Sequence, residues 1–64
     1  TGAGDAWAAG FEAMLLEGRD LDEAVTVANA VGALTVTKVG AISALPTREE
    51  LARFLKDRGY RIVL

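Results

Sequence analysis

The sequence predicts an α/β segment of three helices followed by one short C-terminal strand. Three observations predict it: apolar stretches long enough for helices, capping residues or glycines at the ends of these stretches, and a final run rich in branched apolar residues. The helices are expected over about 4–17, 21–36 and 48–58, and the strand over about 60–64.

The first predicted helix begins within a glycine-rich start at residues 1–5 (TGAGD) and ends before Gly18. From Ala6 to Leu16 it is apolar in nearly every direction around its axis, with Glu12 as its one charged residue. A helix that is apolar all round is normally buried on most sides by other elements.

The second predicted helix begins at an N-cap, Asp20, with Glu23 as the reciprocal partner three residues on. It is nearly all apolar over 24–34. Its end is ambiguous, because residues 34–39 alternate and are rich in β-branched side chains, a pattern that also fits a strand. The favoured interpretation ends the helix before a loop at 37–46.

The third predicted helix begins at a capping box, Thr47 with Glu50, and is stopped by Gly59. Its apolar residues lie on one side, which is typical of a surface helix. Arg48 at its start, like Lys38 in the loop, is by default an ordinary surface charge.

The composition excludes several classes of function. The 64 residues include 7 Lys+Arg, 9 Asp+Glu, no His and no Cys, so the net charge is −2. Without cysteine there is no disulfide framework, and without histidine the commonest metal ligand and general base is missing. The mildly acidic balance argues against binding to nucleic acid or an anionic membrane, and no apolar run is long enough to span a bilayer.

The length and the two apolar helices indicate a piece of a larger domain. Chains of about 60 residues bury only ~60% of their unfolded surface and usually need disulfides, a metal or oligomerisation. One amphipathic helix and a strand cannot cover two helices that are apolar all round. Two alternatives stay open: a stand-alone helical interaction module that oligomerises, and a helix-turn-helix DNA-binding module. The DNA-binding alternative is weak because residues 21–36 contain no Lys or Arg.

The glycine-rich start carries the strongest chemical signal. Gly2 and Gly4 allow the backbone N–H groups at the N-terminus of the first helix to point toward one spot, where the helix dipole favours an anion. Asp5 in the same turn could accept a proton from a hydroxyl. The alternative is that Asp5 only caps the helix. A dinucleotide fingerprint and a Walker A loop are both excluded, since Trp7 replaces the third glycine and no Gly-Lys-Ser/Thr triplet occurs.

Residues 1–11 (TGAGDAWAAGF) resemble the C-terminal signature of the ribokinase (PfkB) family of carbohydrate kinases, usually D-T-x-G-A-G-D-x-F-x-A-G-F. The match continues in family order through LDEA at 21–24, ANAVGAL at 28–34, TVTKVGA at 35–41 and LPTREEL at 45–51. The resemblance covers nearly the whole chain, but only the C-terminal part of a family member.

The resemblance implies a ribokinase-like parent fold, with a parallel-rich central sheet and helices on both faces. Residues 1–64 would be a C-terminal fragment of a single kinase domain. The implied activity is transfer of the γ-phosphoryl group of ATP to a hydroxyl of a sugar or nucleoside, with Mg²⁺ and with K⁺ as an optional activator. The isolated segment is expected to be inactive, because the sugar site and most of the nucleotide pocket lie elsewhere in such enzymes.

The expected partners are the small-molecule substrate and the remainder of the kinase domain, and neither nucleic acid nor a membrane is expected. The whole kinase that the resemblance implies is expected in the cytoplasm, and a homodimer is one assembly that stays open for it.

The resemblance also implies roles for individual residues. The general base acting on the hydroxyl corresponds to Asp5. The anion hole for the transferred phosphoryl group falls on Gly2, Ala3 and Gly4, and the adenine-contacting position falls on Asn29. A monovalent-cation site built from backbone carbonyls falls on four further positions: Thr35, Lys38, Gly40 and Ala44.

Three of these positions call for comment. Ala44 lacks the polar side chain that family members often carry there, and Trp7 replaces the more usual Phe, which is a swap of one apolar residue for another. Asn29 lies in an apolar helical run, where a polar side chain needs a partner, so a hydrogen bond within the protein is an alternative to a nucleotide contact.

Overall fold

A computed structural model describes residues 2–36 and 45–64 of the chain. These residues form three helices: α1 (Gly2–Leu16), α2 (Leu21–Val36) and α3 (Arg48–Asp57). The three predicted helices are therefore present, with α1 beginning two residues earlier than expected. The ambiguous segment at 34–39 is helical as far as Val36. Residues 37–44, which make up most of the predicted loop at 37–46, lie outside the described residues.

The predicted strand at residues 60–64 is not confirmed. These residues have no regular secondary structure, and no strand occurs in the described parts of the chain. A strand persists only when its N–H and C=O groups pair with a neighbouring strand. Since 2–36 and 45–64 supply no such neighbour, the tail has no partner strand with which to form a sheet.

Local capping interactions fix the helix ends. The Asp20 carboxylate accepts a hydrogen bond from the Glu23 backbone N–H at 2.8 Å, which confirms Asp20 as the N-cap of α2. The predicted reciprocal bond from Asp20 N–H to the Glu23 side chain is absent among the described residues, because that carboxylate accepts from Arg19. At α3 the capping box is complete, because the Glu50 N–H donates to Thr47 Oγ1 at 3.1 Å and the Thr47 N–H donates to Glu50 Oε1 at 2.8 Å. Gly18 follows α1 with a φ of 84°, a left-handed conformation that glycine adopts without strain.

Helix α2 is the centre of the packing, with α1 on one side and α3 on another. It contributes more buried residues than either neighbour. The core consists of the following buried apolar residues: Ala6, Met14, Ala24, Val27, Ala30, Val31, Leu51 and Leu55. Helices α1 and α2 approach closely at Gly10, where an added Cβ would lie only 2.9 Å from Val31 Cγ2.

Much apolar surface stays open in this chain. Helix α1 buries only two residues, Ala6 and Met14. Leu16 is 89% exposed and Leu21 is 63% exposed. Burial of one such side chain contributes about 1.5–3 kcal/mol. We therefore expect these exposed leucines to be buried against another protein surface in a stable assembly. None of the helices in the described ranges is long and apolar enough to cross a membrane.

Candidate active site

The glycine-rich start forms the first turn of α1 and not a separate turn before it. Gly2, Ala3 and Gly4 are the first three residues of the helix, and neither glycine has a positive φ. In an α-helix the first N–H groups have no acceptor within the helix, and the dipole makes this end positive. The N–H groups of these three residues therefore have no acceptor within the helix and stay available to an anion.

Asp5 is the fourth residue of α1, so it lies inside the helix and is not its N-cap. The alternative in which Asp5 only caps the helix is therefore wrong. The Asp5 side chain is exposed and makes no hydrogen bond or ion pair with any residue in the described ranges. Its carboxylate is available as a proton acceptor at the same helix end as the free N–H groups.

A cleft of about 190 Å³ opens beside this turn. Gly2 and Asp5 line it from the start of α1, Thr35 lines it from the last turn of α2, and Leu45 completes it from beyond the undescribed segment. Gly2 and Asp5 thus border one solvent-accessible space, and a backbone donor beside a carboxylate suits a phosphoryl group and an attacking hydroxyl.

Thr35 is the one member of the expected cation site that the structure describes. Its side chain is buried, and Oγ1 donates to the Val31 carbonyl at 2.7 Å. The backbone carbonyl belongs to the last turn of α2 and so has no donor within the helix. Lys38, Gly40 and Ala44 lie outside the described residues. No group of three or more Asp, Glu, His or Cys residues able to hold a metal occurs within 2–36 and 45–64.

Asn29 has a partner inside the protein. Trp7 Nε1 on α1 donates a hydrogen bond to Asn29 Oδ1 on α2 at 2.7 Å, and the Trp7 ring stacks on Phe11. Asn29 is nevertheless exposed and lines a cleft of about 300 Å³ together with residues from α3 and the tail, including Arg58 and Tyr60. The internal hydrogen bond and a contact with a bound molecule are therefore compatible.

Sequence reasoning missed the part that Trp7 plays, because it treated the residue as an apolar replacement for Phe. The available signal was the indole N–H. A tryptophan in a helical contact usually finds an acceptor for this group, and phenylalanine has no equivalent.

Comparison with known proteins identifies similar sequences. The profile described as pfkB family carbohydrate kinase matches residues 1–48. The chain is 53% identical over 57 residues to an ATP-dependent ribose-1-phosphate kinase of Halopiger xanaduensis, an alignment that covers 89% of this chain and 19% of that protein. It is 46% identical over 56 residues to a ribokinase of Haemophilus influenzae, covering 88% of this chain and 18% of that protein.

A fructokinase of Vibrio alginolyticus is 44% identical over 61 residues, which covers 86% of this chain and 20% of that protein. The chain therefore spans about a fifth of the length of the curated relatives that it matches. No solved structure matches it significantly.

Proposed function

Because this chain belongs to the pfkB family of carbohydrate kinases, we propose that it is the C-terminal part of an ATP-dependent kinase that phosphorylates a hydroxyl of a sugar or nucleoside. The longer protein that this proposal places around residues 1–64 is called the parent kinase below. The observation that carries the proposal is the first turn of α1, where the N–H groups of Gly2, Ala3 and Gly4 have no acceptor within the helix. In the same turn Asp5 has no side-chain partner among the described residues, and Gly2 and Asp5 both line one cleft.

In the proposed reaction, the oxygen of the substrate hydroxyl attacks the γ-phosphorus of ATP, and Asp5 accepts the proton of that hydroxyl. The new P–O bond forms while the bond to the bridging β–γ oxygen breaks, and ADP leaves. The amides of Gly2, Ala3 and Gly4 donate to the oxygens of the transferring group, where negative charge is spread in the transition state. Phosphoryl transfer needs mainly such positioning and charge stabilisation.

Mg²⁺ bound with ATP would neutralise phosphate charge. Since the described residues hold no group of side chains suited to a metal, we assign no residue of this chain to Mg²⁺. K⁺ prefers carbonyl oxygens, as in selectivity filters, and the Thr35 carbonyl, which has no donor within α2, fits this preference. We propose that Thr35, Lys38, Gly40 and Ala44 supply the carbonyls of an activating K⁺ site.

Asn29 is the proposed contact to the adenine ring of ATP. Two observations support this role: Asn29 is exposed, and it lines an open cleft. An amide side chain can hydrogen-bond to the edge of a base, and a contact on α2 would hold the nucleotide while its phosphates reach the start of α1.

The proposed substrate class is a sugar, because the relatives are named as kinases of ribose, ribose 1-phosphate and fructose. The exposed Leu16 and Leu21 are proposed to pack against the remainder of the kinase domain. A stand-alone oligomerising module would use the same surface, but the matched kinase sequence does not favour it. With ATP as the donor, the proposed location is the cytoplasm, and a homodimeric parent remains an expectation.

The test is Asp5→Asn in the parent kinase, measured as steady-state phosphorylation of a panel of sugars. The amide keeps the shape of the side chain but cannot accept the proton, so kcat should fall by about 10²–10⁴ with little change in the melting temperature. Asp22→Asn is the matched control, since Asp22 is also an exposed aspartate in the first turn of a helix. A near-normal kcat for Asp5→Asn would remove Asp5 from the mechanism.

A further inference from the structure

We propose that Trp7 is a positioning residue that sets the orientation of the Asn29 side-chain amide toward the nucleotide base. The inference rests on the proposed contact between Asn29 and ATP. It begins from the hydrogen bond of 2.7 Å that Trp7 Nε1 donates to Asn29 Oδ1, between side chains 22 residues apart in the sequence.

The chemistry of the two groups allows only one arrangement. An indole N–H donates and cannot accept, so the atom that faces it must be the amide oxygen. An amide turned by 180° would place its NH₂ group against the indole N–H, and two donors would meet. Trp7 therefore selects one of the two orientations of the Asn29 side-chain amide.

In the selected orientation the Asn29 oxygen is engaged, and the amide N–H groups have no partner among the described residues. Asn29 consequently presents hydrogen-bond donors to a molecule in the adjoining cleft. The matching group on adenine is a ring nitrogen, which is an acceptor. Trp7 thus acts on the base through Asn29 and needs no contact with the nucleotide.

Trp7 is itself held in place, which a positioning residue requires. Its ring stacks on Phe11 with the centroids 5.2 Å apart and the planes at 15°. The ring also packs over the backbone of α2 at Gly32, where an added Cβ would lie 3.8 Å from Trp7 Cδ1. The indole is fixed from both helices, so its N–H has a defined direction.

The test is Trp7→Phe in the parent kinase, because phenylalanine keeps an aromatic ring and removes the N–H. Loss of one hydrogen bond that orients the amide should raise KM for ATP about 3- to 10-fold. The value of kcat should stay nearly constant, since Trp7 does not line the cleft beside Asp5. Replacement of Trp7 by its benzothiophene analogue keeps the bicyclic ring without the N–H, and should give the same result if phenylalanine disturbs folding.

A double-mutant cycle separates positioning from packing. Asn29→Ala should raise KM for ATP, and Asn29→Asp should raise it as much, because the carboxylate still accepts from Trp7 but offers no donor. In the Asn29→Ala background Trp7→Phe should cause no further rise, since its effect passes through the amide.

Two kinds of failure are distinguishable. If Asn29→Ala leaves KM for ATP unchanged in an active kinase, the proposed adenine contact is wrong, and the positioning role fails with it. If Asn29→Ala raises KM but Trp7→Phe does not, or raises it equally in both backgrounds, the contact stands and only the positioning role of Trp7 is overturned.

Discussion

Arg48, the first residue of α3, forms a two-point ion pair with Glu17, just beyond the end of α1. Nη1 lies 2.9 Å from Glu17 Oε2, and Nη2 lies 3.0 Å from Oε1. Arg19 also binds Glu17, at 3.1 Å, and reaches Glu23 at 2.7 Å. This charged cluster ties the start of α3 to the connection between α1 and α2, so Arg48 is more than the ordinary surface charge expected from its sequence context.

The first prediction concerns the pH dependence of this pair. Hydrogen bonds from Arg48 and, second, from Arg19 hold the pKa of Glu17 below its ordinary value of 4.5. Because the folded-state pKa is the lower one, the stabilisation is fully present above about pH 4.5 and is lost as the pH falls through the folded-state pKa. Arg48→Ala should therefore lower the melting temperature of the parent kinase slightly at pH 7, and the difference should shrink below pH 4.5.

The loss should be small, because both side chains are partly exposed to solvent and exposed pairs contribute little. Arg53→Ala on the same helix is the control, since Arg53 has no ion pair within residues 2–36 and 45–64. Equal losses for Arg48→Ala at neutral and acid pH would show that the ion pair is not their cause.

The second prediction concerns the capping box of α3. Thr47→Ala removes the acceptor for the Glu50 N–H. The free energy of unfolding of the parent kinase, measured by denaturant titration, should therefore fall by about 1 kcal/mol. Thr26→Ala is the matched control, because the Thr26 hydroxyl donates a hydrogen bond to the Asp22 carbonyl inside α2 and does not cap a helix end. Losses of the same size at both positions would argue against a capping role for Thr47.

The ends of the helices were predictable because their determinants are local. Asp20 and Thr47 act on N–H groups three residues away, within the reach of a sequence motif. The place of Asp5 in the first turn of α1 was predictable for the same reason. The strand at 60–64 depended on a partner that a motif cannot supply. The bonds of Trp7 to Asn29 and of Arg48 to Glu17 join residues 22 and 31 positions apart, so they follow from helix packing and not from spacing.

The third prediction concerns the core contact between α2 and α3. Leu55 is 1% exposed and packs into the core formed mainly by α2. Leu55→Ala should lower the free energy of unfolding by about 2–5 kcal/mol, because the side chain leaves a cavity. Lys56→Ala on the exposed face of the same helix should change it by less than about 0.5 kcal/mol. If the two variants unfolded at the same denaturant concentration, α3 would not be docked through Leu55.

The fourth prediction compares two glycines at the α1–α2 contact. A Cβ at Gly10 would lie 2.9 Å from Val31 Cγ2 and 3.3 Å from Val31 Cβ, whereas a Cβ at Gly32 would meet only ordinary contacts at 3.8 Å or more. The β-branched Val31 cannot turn its methyl groups away freely. Gly10→Ala should therefore destabilise the parent kinase by about 1–3 kcal/mol, as overpacking does.

Gly32→Ala should instead be neutral or stabilising by up to about 1 kcal/mol, because alanine favours the helix and fits the available space. Denaturant unfolding of both variants measures the contrast, and Val31→Ala in the Gly10→Ala background should recover part of the loss by removing the clashing methyl group. A Gly10→Ala variant as stable as Gly32→Ala would mean that α1 and α2 do not approach as closely as this packing requires.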